Sequence, residues 1–210
     1  MFLKQMQVGQ MAVFAYLIGD TDTGDGLVID PAANTDGLID IAKGAGITIR
    51  YIVNTHSHVD HIAGNAEMKS KTGAKIIIHE EDADSLSSTP GMFLKMFGAK
   101  PSPPADKTVK EGDTIDVGKI SLKVIHTPGH TPGGMCLYVP DYVFTGDTLF
   151  VGGVGRTDLP GGSWKIMSDS IRKKLLTLPE KTVILPGHNY GGAPYSTIGK
   201  EKETNPFLAG

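Results

Sequence analysis

Residues 48–61 read TIRYIVNTHSHVDH, an apolar β-branched strand that runs directly into a cluster of histidines and one aspartate. No other stretch restricts the possible folds as tightly. An extended strand end puts alternate side chains on one side, so His56, His58 and Asp60 project together. His61 follows His58 by three residues, and a turn into a helix brings it to the same point. Asp60 stands where a helix N-cap is expected to fix that turn. Burying these groups unpaired would be costly. Imidazole and carboxylate together form the ligand set for Zn²⁺, Fe or Mn. The cluster ends an apolar strand, unlike a tag-like tract.

Three further motifs offer donors of the same kind, each at a strand end beside glycine or proline. They are His130 in HTPGHTPGG (126–134), Asp147 in VFTGDTLF (143–150) and His188 in ILPGHNYGG (184–192). A glycine just before the donor lets the backbone approach a metal closely. His79 ends an apolar strand, and Pro128 breaks any helix that would align His126 with His130. Both therefore read as supporting residues. Cys136, within GMCLYV, reads as a buried strand residue. It is the only cysteine, which excludes a disulfide framework or a multi-cysteine zinc module and fits a reducing compartment.

The remaining pattern fits one α/β domain over residues 1–210. Strands are expected at 2–8, 12–18, 26–30, 48–55, 74–79, 113–117, 119–126, 134–139, 142–146 and 181–185. Helices are expected at 35–45, 60–72 and 163–177, with a glycine-rich loop at 152–162. Residues 87–112, rich in Ser, Pro and Gly around an apolar patch, read as a long flap. The apolar run MAVFAYLI (11–18) resembles a weak signal peptide, but GDTDTGDG follows it without a small-residue cleavage site. No apolar run approaches the ~20 residues of a membrane span. A cytoplasmic protein is expected. The net charge of −3 gives no support for a nucleic-acid or anionic-membrane partner.

THSHVDH followed by His130, Asp147 and His188 resembles the metallo-β-lactamase superfamily, nearly end to end. GDTLFVGGVGRTDLPGG (146–162) and TIGKEKETNPFL (197–208) are similar to its glyoxalase II-like (hydroxyacylglutathione hydrolase-like) thioesterases. The resemblance implies an αββα sandwich with the metal site at the edge between two mixed β-sheets. It implies one ion held by His56, His58 and His130, another by Asp60, His61 and His188, and Asp147 bridging them. The ions would be two divalent metals, zinc first, with iron or manganese as options. Such a pair activates a bridging water and polarises a carbonyl. Asp60 would then be ligand and catalytic orienting group together. The substrate would be a small thioester or a glutathione-type thiol conjugate. Arg156 falls where these enzymes place a glutathione-contacting lysine, and Tyr190 matches a tyrosine at the thiol-conjugate site. A loop salt bridge for Arg156 and packing for Tyr190 are the alternative readings.

Two departures weaken the glutathione clamp. His188 reaches Asn205 in 17 residues, without the long helical segment of glyoxalase II. The sequence ends Leu208-Ala209-Gly210, without the basic residues that follow NPF in that family. HNYGGAPYSTIGKEKETNP (188–206) also resembles the persulfide dioxygenases, which use only the counterparts of His56, His130 and Asp147. That subset is a facial triad suited to a single Fe(II) and O₂. The flap and GRTDLPGG (155–162) look more like the hydrolases, because the dioxygenases have a phenylalanine-glutamine pair after GRTD. The sequence reading is therefore a metal-dependent thioesterase, with a mononuclear iron persulfide dioxygenase acting on glutathione persulfide as the alternative.

Overall fold

The structure is a computed structural model that describes residues 1–208; Ala209 and Gly210 lie outside the described residues. MAVFAYLI supplies the second strand, β2 (Val13–Gly19), which pairs with β1 (Phe2–Val8) and is buried at every position. Alternation explains why the run is apolar throughout. Val13, Ala15 and Leu17 join a core beneath helices, whereas Phe14, Tyr16 and Ile18 join a second core between two sheets. A strand buried on both faces has no polar positions to alternate with.

The first sheet continues with β3 (Asp25–Ile29), β4 (Thr48–Val53), β5 (Lys75–His79) and β6 (Lys107–Val109), in that spatial order. Its β1–β2 and β2–β3 pairings are antiparallel and the rest parallel. Helices α1 (Thr35–Gly44), α2 (Val59–Ile62), α3 (Asn65–Thr72) and α4 (Ala83–Leu86) cover its outer face through Leu38, Ile62, Met68 and Leu86. A short α5 (Gly91–Met96) follows, with Met92, Phe93 and Met96 exposed.

The second sheet holds β7 (Thr114–Val117), β8 (Ile120–His126), β9 (Met135–Val139), β10 (Tyr142–Gly146), β13 (Val183–Pro186) and β14 (Ser196–Thr197), and β11 (Leu149–Phe150) and β12 (Gly153–Val154) form a small ribbon. Only β10 and β13 pair in parallel. Helices α6 (Trp164–Lys173) and α7 (Ile198–Thr204) pack on its outer face through Met167, Ile171 and Ile198, where Cys136 is also buried. The layers are therefore helix, mixed sheet, mixed sheet, helix, as expected.

Some boundaries differ from the sequence reading. The helix expected at 60–72 is split at Ala63-Gly64, where the Pro31 carbonyl approaches so closely that only a glycine fits. The flap is not a continuous loop: it contains α5, and β6 returns to pair with β5. The helix expected to reach 177 ends at Lys173, and a 3-10 turn covers Leu175–Thr177. Among the described residues, no helix is long and apolar enough to cross a membrane.

Strand direction locates the site. β8 and β10 both run antiparallel to β9, and β13 runs parallel to β10, so all three finish at one edge. In the first sheet β4 finishes, and β2 begins, at the edge facing them. Backbone bonds close the two edges together: Phe14 N–H donates to the Gly187 carbonyl at 2.8 Å, and Asn189 N–H to Ala12 at 2.9 Å.

Candidate metal centre

Every candidate donor follows one of those strand ends. His56 and His58 follow β4, and Asp60 and His61 sit on α2. His130 follows β8, Asp147 follows β10, and His188 follows β13. The N-cap expectation for Asp60 is corrected here. His58 takes the extended cap conformation (φ −66°, ψ 142°), and Asp60 lies in the first turn, where a helix dipole favours an acid.

The structure brings the donors into two sets. Donor atoms of His56, His58 and His130 lie within 4.8 Å of one another, as do those of Asp60, His61 and His188. Asp147 touches both: its Oδ2 is 3.5 Å from His130 Nε2 and 3.2 Å from His188 Nε2, and its Oδ1 is 3.3 Å from His61 Nε2. His56 Nε2 and Asp147 Oδ1 are buried without a hydrogen-bond partner. Orphaned polar atoms are expensive inside a protein. Two such atoms among converging imidazoles fit a site for divalent metal.

Outer contacts fix which nitrogen each ring offers. His130 Nδ1 pairs with the Arg156 carbonyl at 2.7 Å, His188 Nδ1 with the Met11 carbonyl at 2.8 Å, and His61 Nδ1 with Asp30 Oδ2 at 3.0 Å. An acceptor at Nδ1 holds the proton there and leaves Nε2 for a cation. Asp30 also accepts from Thr55 N–H (2.8 Å) and from the Thr55 hydroxyl (2.6 Å). The Thr55 hydroxyl lies 3.1 Å from His56 Nδ1, which leaves His56 Nε2 facing the site. Sequence reasoning missed Asp30 and a second buried acid, Asp82. Asp30 closes the apolar strand GLVID, a usable signal; Asp82 sits in EEDAD, where nothing separates it from solvated neighbours.

Burial, reinforced by neighbouring imidazoles, depresses the basicity of His56 strongly and brings His58 down to about 4. Burial works the same way on His61 and His188. There, however, Asp147 and Asp60 prevail, raising His61 well above its ordinary value and His188 to about 9. Burial would raise the acids, but the histidines outweigh it and hold Asp60 below, and Asp147 well below, the usual carboxylate range. Asp147 is thus held as an anion and His56 and His58 as neutral donors, the states a cation requires, whereas His61 and His188 must each release a proton to bind one.

Tyr190 stacks on His188 (ring centroids 4.4 Å apart, 10° between planes) and remains 55% exposed at the mouth of the site. The Arg156 guanidinium is exposed and paired with both carboxylate oxygens of Asp158, at 2.8 and 2.7 Å. Beside Asp60 lies a cavity of about 150 Å³ walled by Met11, Val13, Ala33, Ala63 and, from the flap, Phe97. His79 and His126 stand outside both donor sets and stack on each other, 3.9 Å apart and 17° from parallel. With the exposed Glu81 their donor atoms also lie within 4.8 Å of one another, but His79 Nδ1 already accepts from Glu81 N–H and His126 Nε2 pairs with the Pro132 carbonyl.

A family profile described as "Metallo-beta-lactamase superfamily" matches residues 8–188, which includes both donor sets. The chain belongs to the metallo-β-lactamase superfamily. It is an enzyme of that superfamily, with a site for divalent metal and a small-molecule substrate. The protein is 36% identical to "Probable metallo-hydrolase YqgX" of Bacillus subtilis, over 99% of this chain and 97% of that one. It is 34% identical to human "Persulfide dioxygenase ETHE1, mitochondrial", over 98% of this chain and 75% of that one. Among solved structures, ETHE1 from Myxococcus xanthus superposes with a TM-score of 0.85 at 32% identity, covering 98% of this chain and 84% of that one.

Proposed function

We propose that this protein is a persulfide dioxygenase that uses one iron ion and O₂ on the persulfide of a glutathione-type thiol. The observation that carries this reading is the similarity to ETHE1 proteins in both sequence and structure, across nearly the whole chain. It reverses the ranking drawn from the sequence, which put a thioesterase first on the strength of the flap and GRTDLPGG.

In this reading His56, His130 and Asp147 would hold the iron, a two-histidine, one-carboxylate set of the kind that suits Fe(II). Once bound, the iron would supply O₂ activation. His61 and His188 hold the Asp147 carboxylate from the other side, at 3.3 and 3.2 Å. Burial and the nearby Asp147 and Asp60 push the Tyr190 hydroxyl up to about 12, so it remains a proton donor toward a bound thiol conjugate. Arg156 would take a substrate carboxylate bidentately by exchanging Asp158 for it.

A second reading is a two-metal thioesterase, with zinc the first choice. It is supported by the intact Asp60, His61 and His188 set and by the match to YqgX over 97% of that protein's length. There Asp60 would be both ligand and orienting carboxylate, and the cavity beside it would take the acyl group.

The test is metal analysis of protein purified without added metal, followed by two assays on the same preparation. The dioxygenase reading predicts one iron per chain, O₂ uptake with glutathione persulfide and no thioester turnover. Two zinc ions with thioester hydrolysis and no O₂ uptake would overturn it in favour of the second reading.

A further inference from the structure

Asp82 is 1% exposed, and among the described residues it takes part in no ion pair and belongs to neither donor set. Its carboxylate instead accepts two backbone N–H groups from opposite halves of the molecule. Oδ2 takes Ser57 N–H at 2.9 Å, and Oδ1 takes Gly133 N–H at 2.7 Å. Ser57 lies between His56 and His58, at the end of a strand of the first sheet. Gly133 lies three residues after His130, in the β8–β9 loop of the second sheet. The histidines of one donor set thus come from two sheets, and one buried carboxylate ties their loops together.

The surroundings of Asp82 serve the same joint. His79 Nδ1 accepts from Glu81 N–H at 3.3 Å and caps the 3-10 turn that carries Asp82. His126 Nε2 pairs with the Pro132 carbonyl at 2.8 Å, one residue before Gly133. The stacked rings of His79 and His126 then join the turn to the loop. Gly133 must lack a side chain, since a Cβ there would lie 2.5 Å from Asp82 N and 2.7 Å from Asp82 Cβ.

We propose that Asp82 is a positioning residue: through Ser57 and Gly133 it sets the spacing between His56–His58 and His130 and so fixes the metal affinity of that set alone. The stacked His79–His126 pair holds Asp82 in place. The inference rests on the metal-centre reading but not on which reaction the centre performs.

A neutral amide can accept only one of the two N–H groups, so Asp82→Asn opens the joint with little change in volume. Removing a partner bonded directly to a ligand lowers metal affinity by about 10–100-fold, and Asp82, which acts one step further out through the backbone, is expected at the low end, about 10-fold. The measurement is a Co²⁺ titration followed by absorption and chelator competition, with His130→Ala and His188→Ala as references for the two sets. Asp82→Asn is expected to weaken the band that His130→Ala abolishes and to leave the remainder as in the parent protein. Gly133→Ala reaches the joint from the other loop and should give the same pattern. Asp106→Asn is the stability control, because Asp106 takes Ile76 N–H and Lys69 away from the centre. It should lower the melting temperature and leave Co²⁺ binding unchanged. Parent-like affinity in Asp82→Asn, the His188→Ala pattern, or equal weakening of both sets would each overturn the proposal. These outcomes are read from metal binding, so they stand apart from the result of the O₂ and thioester assays.

Discussion

Replacing Asp30 by asparagine keeps the shape of the side chain and removes one acceptor and the charge. Oδ1 takes Thr55 N–H at 2.8 Å, while Oδ2 takes the Thr55 hydroxyl at 2.6 Å and faces His61 Nδ1 at 3.0 Å. All of these groups are buried, with Asp30 at 1% and His61 at 0% exposure. Hydrogen bonds to a charged group contribute about 1.5–3 kcal/mol each and neutral ones about 1. In the variant one bond is lost outright, leaving an N–H facing an amide N–H₂, and the others become neutral. The expected loss is about 3–5 kcal/mol, the range seen when one partner of a buried pair is removed. For a chain of this length that is roughly 6–20 °C in melting temperature. Urea unfolding in chelator isolates the folding loss. Chelator competition on the folded variant should then show about 10–100-fold weaker binding, because a neutral amide orients the His61 ring less firmly than a carboxylate. An unchanged urea midpoint, or a lowered midpoint with parent-like metal affinity, would refute the assignment of Asp30 as the support of His61.

Other substitutions reach different parts of the same construction. Asp147→Ala should lose metal and activity together, because its carboxylate lies within 3.5 Å of donors in both sets; full metal content in that variant would contradict this. Tyr190→Phe keeps the stack on His188 and removes the hydroxyl, so KM for the thiol conjugate should rise several-fold at unchanged metal content; an unchanged KM assigns the tyrosine to packing. Burial pushes the Cys136 thiol up to about 11, so a thiol reagent at pH 8 should react only after unfolding, and rapid labelling of the native protein would show the second-sheet core to be open.

Much of the centre could be read from the chain because its chemistry is local. THSHVDH places several donors at one strand end, and a glycine precedes each of His130, Asp147 and His188. What escaped is what depends on pairing at a distance. Asp30 and Asp82 act by accepting backbone N–H groups 25 and 51 residues away, a pairing that no local pattern announces. β6 is three residues long and exists because β5 offers it an edge. The break between α2 and α3 falls at Gly64, beside the Pro31 carbonyl, a proximity invisible in a helical pattern. Arg156 shows the limit of motif matching. Its side chain pairs with Asp158, and the contact it makes with the centre is through its carbonyl, which any residue could offer.

Anomalous diffraction at the iron edge, from crystals of iron-loaded protein, tests the centre most directly. One iron peak in contact with His56, His130 and Asp147 is predicted. An iron peak elsewhere, such as beside His79 and His126, or no peak in contact with these three donors, would contradict both the assigned ligands and the chemistry proposed from them.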